Sequence, residues 1–296
     1  MATAGRLPVT FHYVVGIGDV DAYGIMFYSH FVRISRMALR ATSPLRLSTA
    51  GLFLPCQRFR AAVSFGQHVR IEWNSCAGAV GTLLCRWYVS GESSAVASCT
   101  GGAAAGVDSS SHCAYQLVAC CAENVAALPA VAVRMVTRVA PKMHSAFTSE
   151  SVEDLCRLFP AHVSTPVHDN ISSFHDVLYW SERLRSRLIG GAGVVAEYLA
   201  RGVVLQVVSA SNCACPNPMC VEVSAGTVVL GWCFLVQQRR GRYVFLTRFV
   251  ASAENARHPL VIAHAVVELA AFCKASKTPV EVAVCPAAPA ASPVPC

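Results

Sequence analysis

The stretch GDVDAYGIMFYSHFVR, residues 18–33, combines an acidic turn with the start of a helix in this 296-residue chain. Residues 9–17 before it are rich in Val, Phe and Tyr and predict a strand. Asp19 and Asp21 lie in an Asp- and Gly-rich turn. Ser29 can cap a helix. The apolar residues that follow recur at helical spacing: Phe31, Val32, Ile34, Ala38 and Leu39.

The same order of elements occurs twice along the chain. Strand-like runs follow the first helix at residues 56–65, 68–74, 82–90 and 114–121, with a Ser/Gly/Ala-rich insertion at 91–111. The second half predicts a helix at 176–188, a short helical extension at 196–201, and strands at 203–209, 221–224, 228–237 and 243–251. Residues 238–242 join the last two strands as a hairpin.

Two short matches support an internal duplication. Residues 51–54, GLFL, correspond to residues 202–205, GVVL, and residues 69–72, VRIE, correspond to residues 219–222, MCVE. We therefore predict a first domain at 8–128, a linker at 129–160, a second domain at 161–275 and a disordered Pro/Ala-rich tail at 276–296. Within the linker, residues 150–159 suggest a short helix.

Composition narrows the class of protein. Hydrophobic residues make up 54% and charged residues 14%, which favours packed cores over disorder. The net charge of +7 attracts anions in general, but no Lys/Arg run forms a nucleic-acid patch, so we expect no nucleic-acid partner. No apolar run is long enough to span a membrane. Residues 260–273, the most apolar helical stretch, are interrupted by His264 and Glu268, and we predict a packed helix there.

The 15 cysteines are expected to be reduced. No signal peptide precedes Pro8, so we predict an intracellular and by default cytoplasmic protein, with cysteines acting as small buried hydrophobes. Cys213, Cys215 and Cys220 have a C-x-C-x4-C spacing, but no fourth ligand follows nearby. We expect neither a metal nor a cofactor.

Residues 18–33 resemble the start of the 4-hydroxybenzoyl-CoA thioesterase family. The shared pattern is Gly-Asp-x-Asp, then x-x-Gly-Ile, two hydrophobic residues ending in Tyr, and a long helix. The resemblance covers about residues 9–128 apart from the insertion, and it covers the second half only by element order. It implies an α+β double hot-dog fold, in which each copy is an antiparallel sheet wrapped around a central helix.

The resemblance also implies roles for site residues. The second Asp of the motif, Asp21, would be the catalytic carboxylate, as nucleophile or as general base for water. The backbone N–H of Tyr28 would polarise the thioester carbonyl. Gly24, Phe27 and His30 would contact the substrate, although a capping or surface role for His30 is an equal alternative. Asp19 is expected to be a turn residue.

Elementary chemistry agrees with these roles. The first turn of a helix presents N–H groups and a positive dipole end. Donors aimed at an oxyanion from such a place contribute about 10²–10³ in rate. A carboxylate on the preceding loop can reach the same carbon and act as a general base. Asp-x-Asp before a helix is also a common capping or turn pattern, so a purely structural role stays open.

The second copy departs from the motif. Residues 167–176, VHDNISSFHD, lack both Gly-Asp-x-Asp and the glycine before the helix. Asp169, His175 and Asp176 are candidates for a divergent acid/base set, and Glu182 lies on the helix where another thioesterase branch keeps its carboxylate. We favour loss of the site and a structural role for this copy.

The sequence therefore predicts a thioester hydrolase acting on acyl-CoA. Alternatives are an acyl carrier protein substrate and a non-catalytic acyl- or ligand-binding protein. A dehydratase is less favoured because the first copy lacks a catalytic-loop His. In tandem proteins of this kind the two copies resemble the homodimer of the single-domain enzymes, so we expect intramolecular pairing, with further homo-oligomerisation left open.

Overall fold

The computed structural model describes residues 9–21, 24–42, 52–75, 82–89, 112–121, 151–167, 174–214, 228–252 and 260–284. The chain divides into two compact units. Met1–Leu52 and Gln57–Glu123 form the first unit, and Phe53–Cys56 and Asn124–Cys296 form the second.

The first unit contains one sheet and one long helix. Its strands are β1 (Val9–Val14), β2 (Leu52–Phe59), β3 (His68–Ser75), β4 (Thr82–Val89) and β5 (His112–Cys121), and its helix is α1 (Tyr28–Thr42). The middle of β2, Phe53–Cys56, is the part that is grouped with the second unit. The strands lie in the order β1-β3-β4-β5-β2. β3 pairs antiparallel with β1 and β4, and β4 pairs antiparallel with β5.

Alternation along β3 and β4 decides which face of this sheet is covered. Val69, Ile71 and Trp73 are buried, and polar residues stand between them. Cys85 and Trp87 of β4 are buried in the same way. An alternating strand buries one face and leaves the other polar. α1 lies on the buried face, where the Trp73 and Trp87 indoles bond to it.

Ser35 of α1 anchors the helix to the sheet. Its carbonyl oxygen accepts a hydrogen bond from the Trp73 indole at 3.0 Å. Its hydroxyl accepts one from the Trp87 indole at 2.8 Å. A buried indole N–H needs such a partner, so Ser35 allows two large aromatic side chains to fill the core.

The second unit repeats this architecture. Its strands are β6 (His162–Val167), β7 (Val203–Ala214), β8 (Val228–Arg239), β9 (Arg242–Ser252) and β10 (Leu260–Cys273), and its helices are α2 (Val152–Leu158), α3 (Phe174–Leu188) and α4 (Gly191–Ala200). The strands lie in the order β6-β8-β9-β10-β7, so both sheets follow first, third, fourth, fifth, second. α3 packs against β6, β8, β9 and β10. The chain is a double hot-dog of the α+β class, as predicted.

The two central helices match residue by residue. Each has 15 residues. From His30 to Leu39 in α1 and from Asp176 to Arg185 in α3, burial follows the same sequence of half-buried, paired buried and exposed positions. Ser35 and Ser181 thereby fall at the same place, and both are buried. Equal length and equal burial support the predicted duplication.

The second sheet contains the predicted hairpin. β8 and β9 pair antiparallel, and Arg239 lies opposite Arg242. Arg240 and Gly241 both have positive φ, at 46° and 74°. Two such residues in succession form the tight turn whose twist matches that of the strands.

One prediction from the sequence is wrong. Residues 260–273 are not a packed helix but strand β10, which pairs antiparallel with both β7 and β9. Both faces of β10 are largely covered, so its sequence is a continuous apolar run without clear alternation. Its polar residues His264 and Glu268 are four apart, a spacing that fits a helix face as well as a strand face.

The second half of the duplication match is also corrected. The first match holds, because β2 begins at Leu52 and β7 begins at Val203. By sheet position, however, the counterpart of β3 is β8, which begins at Val228. Residues 219–222, and the strand predicted at 221–224, lie outside the described residues.

Both flanks of the second domain carry contacts. The short helix expected at 150–159 is α2, and its Leu155 packs in a core cluster with Phe234 and Leu246. At the other end, Val282 is 2% exposed and its carbonyl accepts a hydrogen bond from the Tyr243 hydroxyl at 3.3 Å. Residues 276–284 therefore do not belong to the disordered tail that was predicted at 276–296. Residues 285–296 lie outside the described part.

Among the described residues, no helix has the length and apolar character that a membrane span requires. The 91–111 insertion and the other predicted domain boundaries are not tested by the described residues.

Candidate functional site

The acidic turn is held between β1 and α1. After β1, Ile17–Asp19 forms one turn of 3-10 helix. Val20 then bridges to Met26, and Ile25 bridges to Ser64. The N–H of Met26 also donates to the Val63 carbonyl at 2.7 Å. The last two of these contacts attach Ile25 and Met26 to the segment after β2, just before α1.

Asp21 lies within this turn and is exposed to solvent. Its backbone N–H donates to the Ile25 carbonyl at 2.8 Å, and its carbonyl accepts from Gly24 N–H at 2.9 Å. Its Oδ1 accepts a hydrogen bond from Ile25 N–H at 3.2 Å. The carboxylate is therefore oriented by its own turn and is accessible to solvent.

Gly24 is required by backbone conformation. Its φ is +70°, a region that residues with a Cβ rarely adopt. A Cβ added there would meet nothing within 4 Å. Conformation rather than lack of space thus explains this glycine.

Tyr28 is the first residue of α1, and its side chain points into the core. It is 5% exposed and makes edge contacts with Phe27 and Phe59, with ring centroids 5.1 and 6.3 Å apart. The phenol is thus part of the packing, whereas the backbone of Tyr28 stands at the helix N-terminus. N–H groups in this first turn point out of the helix end.

Phe27 and His30 lie next to each other beside the helix start. Their ring centroids are 5.5 Å apart in an edge arrangement. His30 Nδ1 is 3.3 Å from the carbonyl oxygen of Asp19. Its side chain is 21% exposed. The structure thus brings Asp21, Gly24, Phe27, Tyr28 and His30 into one short region, and their contacts with substrate stay predictions.

Asp19 has a larger structural role than the expected turn residue. It is 5% exposed. Its Oδ2 accepts hydrogen bonds from the Tyr13 hydroxyl at 2.6 Å and from Gly16 N–H at 2.9 Å, and its Oδ1 accepts one from Arg33 at 2.8 Å. Burial and the hydrogen bond to Asp19 raise the pKa of Tyr13 to about 12, so this hydroxyl stays a donor at neutral pH.

Sequence reasoning missed this cluster because nothing local marks Asp19 as buried. The available signal was the spacing of Tyr13 and Arg33, one on the preceding strand and one on the following helix. A strand–turn–helix hairpin can bring both to the first Asp of the motif.

The acid/base set suggested for the second copy is only partly described. Asp169 and the side chain of His175 lie outside the described residues. Asp176 is half-buried in the first turn of α3. Glu182 forms an ion pair with Arg185, and its other oxygen accepts from the Ser186 hydroxyl at 3.4 Å. Glu182 is therefore engaged within its own helix.

The known proteins that resemble this chain do so in structure and only at low sequence identity. No protein-family model matches the chain, and no curated protein matches it. A hot-dog protein of unknown function from Alicyclobacillus acidocaldarius is 10% identical, with a TM-score of 0.49, and the match covers 92% of this chain and 94% of that one.

Two solved thioesterases are similarly distant. A putative oleoyl thioesterase from Lactobacillus plantarum is 9% identical with a TM-score of 0.48, covering 94% of this chain and 99% of its own. A 12:0-ACP thioesterase from Umbellularia californica is 8% identical with a TM-score of 0.47, covering 91% and 100%. At such scores the fold assignment rests on the repeated strand order, not on these neighbours.

Proposed function

We propose that the first unit hydrolyses an acyl-CoA thioester to the free acid and CoA. The observation that carries this proposal is the position of Asp21. It is exposed, its carboxylate accepts the Ile25 N–H, and it precedes Tyr28, the first residue of α1, by seven residues. A carboxylate beside a helix N-terminus supplies the two groups that thioester hydrolysis needs, an activating base or nucleophile and an oxyanion donor.

Two routes are consistent with this arrangement. As a general base, Asp21 takes a proton from water while the water oxygen attacks the thioester carbon. The C–S bond then breaks, and the thiolate leaves and is protonated as CoA. As a nucleophile, an Asp21 oxygen attacks the same carbon and expels the thiolate, which leaves a mixed anhydride that water hydrolyses. Rapid-quench mass spectrometry distinguishes them, since only the second route acylates Asp21.

In both routes negative charge develops on the carbonyl oxygen. The backbone N–H of Tyr28 is the proposed donor to it, aided by the positive end of the α1 dipole. Gly24, Phe27 and His30 are the proposed substrate contacts because they surround the helix start. The half-exposed Phe27 ring offers apolar contact to the acyl or pantetheine chain.

The direct test is a panel of short, long and aromatic acyl-CoAs with free thiol as the readout. We expect release by the native chain and loss of release in Asp21→Asn. Asp154→Asn is a matched control, because Asp154 is an ion-paired aspartate in α2 whose Oδ1 lies 3.0 Å from Arg157.

Several outcomes would contradict the proposal. Full activity in Asp21→Asn would remove Asp21 from the mechanism. Release only from acyl carrier protein thioesters would replace the substrate. Tight acyl-CoA binding with no turnover would favour a binding protein. Pairing of the two units and further oligomerisation remain predictions.

A further inference from the structure

The buried carboxylate of Asp19 joins three separate segments of the first unit. Tyr13 belongs to β1, Gly16 to the loop after it, and Arg33 to α1. All three donate to Asp19, at 2.6, 2.9 and 2.8 Å respectively. A carboxylate that accepts this many hydrogen bonds from distant parts of a fold holds those parts in a fixed relation.

The backbone of Asp19 adds two more ties. Its carbonyl oxygen accepts the Phe27 N–H at 2.8 Å, on the residue just before α1. The same oxygen lies 3.3 Å from His30 Nδ1, in the first turn of α1. Asp19 thus contacts the start of α1 through its backbone carbonyl and the second turn of α1 through the Arg33 side chain.

We propose that Asp19 is a positioning residue that sets the place of the Asp21 carboxylate relative to the N-terminus of α1. This inference rests on the proposed function. Asp21 follows Asp19 by two residues, and Phe27 precedes Tyr28 by one. Both groups of the proposed reaction are therefore attached to the same anchor, one on each side.

The chemistry of the anchor requires a carboxylate. All of its side-chain partners donate, and an ionised Asp offers only acceptors. In Asp19→Asn one of the two oxygens becomes an NH2 group. If the remaining oxygen faces Tyr13 and Gly16, the NH2 group faces Arg33, which cannot accept. The substitution therefore removes the Arg33 tie to α1, whereas the Tyr13 and Gly16 ties and the backbone contacts of Asp19 with Phe27 and His30 remain.

The expected kinetic result is a fall in kcat with little change in KM. Misplacement by about 1 Å can cost on the order of 100-fold in rate, so we expect kcat of Asp19→Asn to fall about 10- to 100-fold. KM should stay within about threefold because uniform substrate binding is not removed. The acidic limb of the pH–rate profile should persist, whereas Asp21→Asn should lose it together with the activity.

Variants of Arg33 test the same tie from the helix side. The Arg33 side chain is 54% exposed, so its replacement should leave the fold intact. Arg33→Met should reproduce the loss of kcat, and Arg33→Lys should restore part of it, since an ammonium can still donate to Asp19. Asp154→Asn should leave kcat and KM unchanged.

Amide hydrogen exchange separates failure of this inference from failure of the proposed function. Exchange at the Ile25 and Phe27 amides should accelerate by about 10-fold or more in Asp19→Asn, whatever the substrate proves to be. Unchanged exchange, or unchanged kcat in a folded Asp19→Asn protein, would overturn the positioning role. Loss of the acidic limb in Asp19→Asn would also overturn it, because Asp19 would then take part in the chemistry itself.

Discussion

The two central helices are the same in length and burial but differ in what they hold. In the first unit, buried Ser35 serves the sheet by accepting the Trp87 indole. In the second, Ser181 at the same position donates to the Val177 carbonyl of its own helix at 2.7 Å. The fold therefore accommodates different hydrogen-bond partners at equivalent positions, and equal burial does not imply equal function.

The helix ends differ as well. α1 begins beside an acidic turn anchored by Asp19, whereas α3 begins with Phe174 and His175, followed by half-buried Asp176. Later along α3, the buried Arg185 occupies the position that Leu39 holds in α1, and it pairs with Glu182. The proposed function places the chemistry in the first unit, and this proposal can be tested directly.

The largest expected effect is on turnover. Asp21→Asn should lower kcat about 10²- to 10⁴-fold, because the carboxylate that activates water or attacks the thioester is removed. Asp176→Asn, at the start of the second helix, should change kcat less than about twofold. Thiol release measured for both variants decides the assignment. The reverse pattern would place the reaction in the second unit.

Low pH should lower the stability of the second unit because of His264. Burial and the charge of Arg248 lower the pKa of His264 to about 4, from an ordinary 6.5. Between these values the unfolded chain binds the proton and the folded chain does not, so stability is full above about pH 6.5 and falls towards pH 4. The difference amounts to about 2–3 kcal/mol.

Denaturant unfolding at pH 7 and pH 4.5 measures this effect. His264→Gln should lose less stability than the native chain over that interval, since it removes the titrating group. Equal pH dependence in both proteins would show that His264 does not carry the acid sensitivity.

The paired serines give a smaller effect. Ser35→Ala removes the acceptor of a buried indole N–H and should destabilise the first unit by about 1–3 kcal/mol. Ser181→Ala removes only a bond back to its own helix, which contributes little, so a change under about 0.5 kcal/mol is expected. Thermal unfolding compares the two. Equal losses would mean that the hydroxyls have the same role.

A modest effect is expected at Gly231 of β8, where α3 approaches the sheet. An added Cβ would lie 2.8 Å from Leu184 Cδ1 and 3.2 Å from Phe249. The Leu184 tip can shift, so Gly231→Ala should cost about 1 kcal/mol, and Gly231→Val more. Unfolding free energies of the two variants check this. A stabilised Gly231→Ala would show that the helix does not pack tightly there.

How far the sequence predicts this molecule depends on whether the deciding signal is local. β3 and β4 alternate in polarity and the central helices have helical spacing, so those elements were predictable, although Ser29 is not the cap of α1, because that helix begins at Tyr28. β10 was not, since a strand covered on both faces has no alternation to recognise. At the site, Asp21, Gly24 and Tyr28 belong to one short motif. The role of Asp19 depends on Tyr13 and Arg33 meeting in space, and no short-range pattern encodes that meeting.

The two five-strand sets follow one another along the chain, β1–β5 before β6–β10. During synthesis, therefore, all five strands of the first sheet leave the ribosome before any strand of the second. N-terminal domains generally fold first in such an order. The last strand of the second sheet, β10, lies between β9 and β7, so that sheet stays open in its middle until residues 260–273 have emerged. A ribosome that stalls before this point would hold one finished hot-dog and one unclosed sheet.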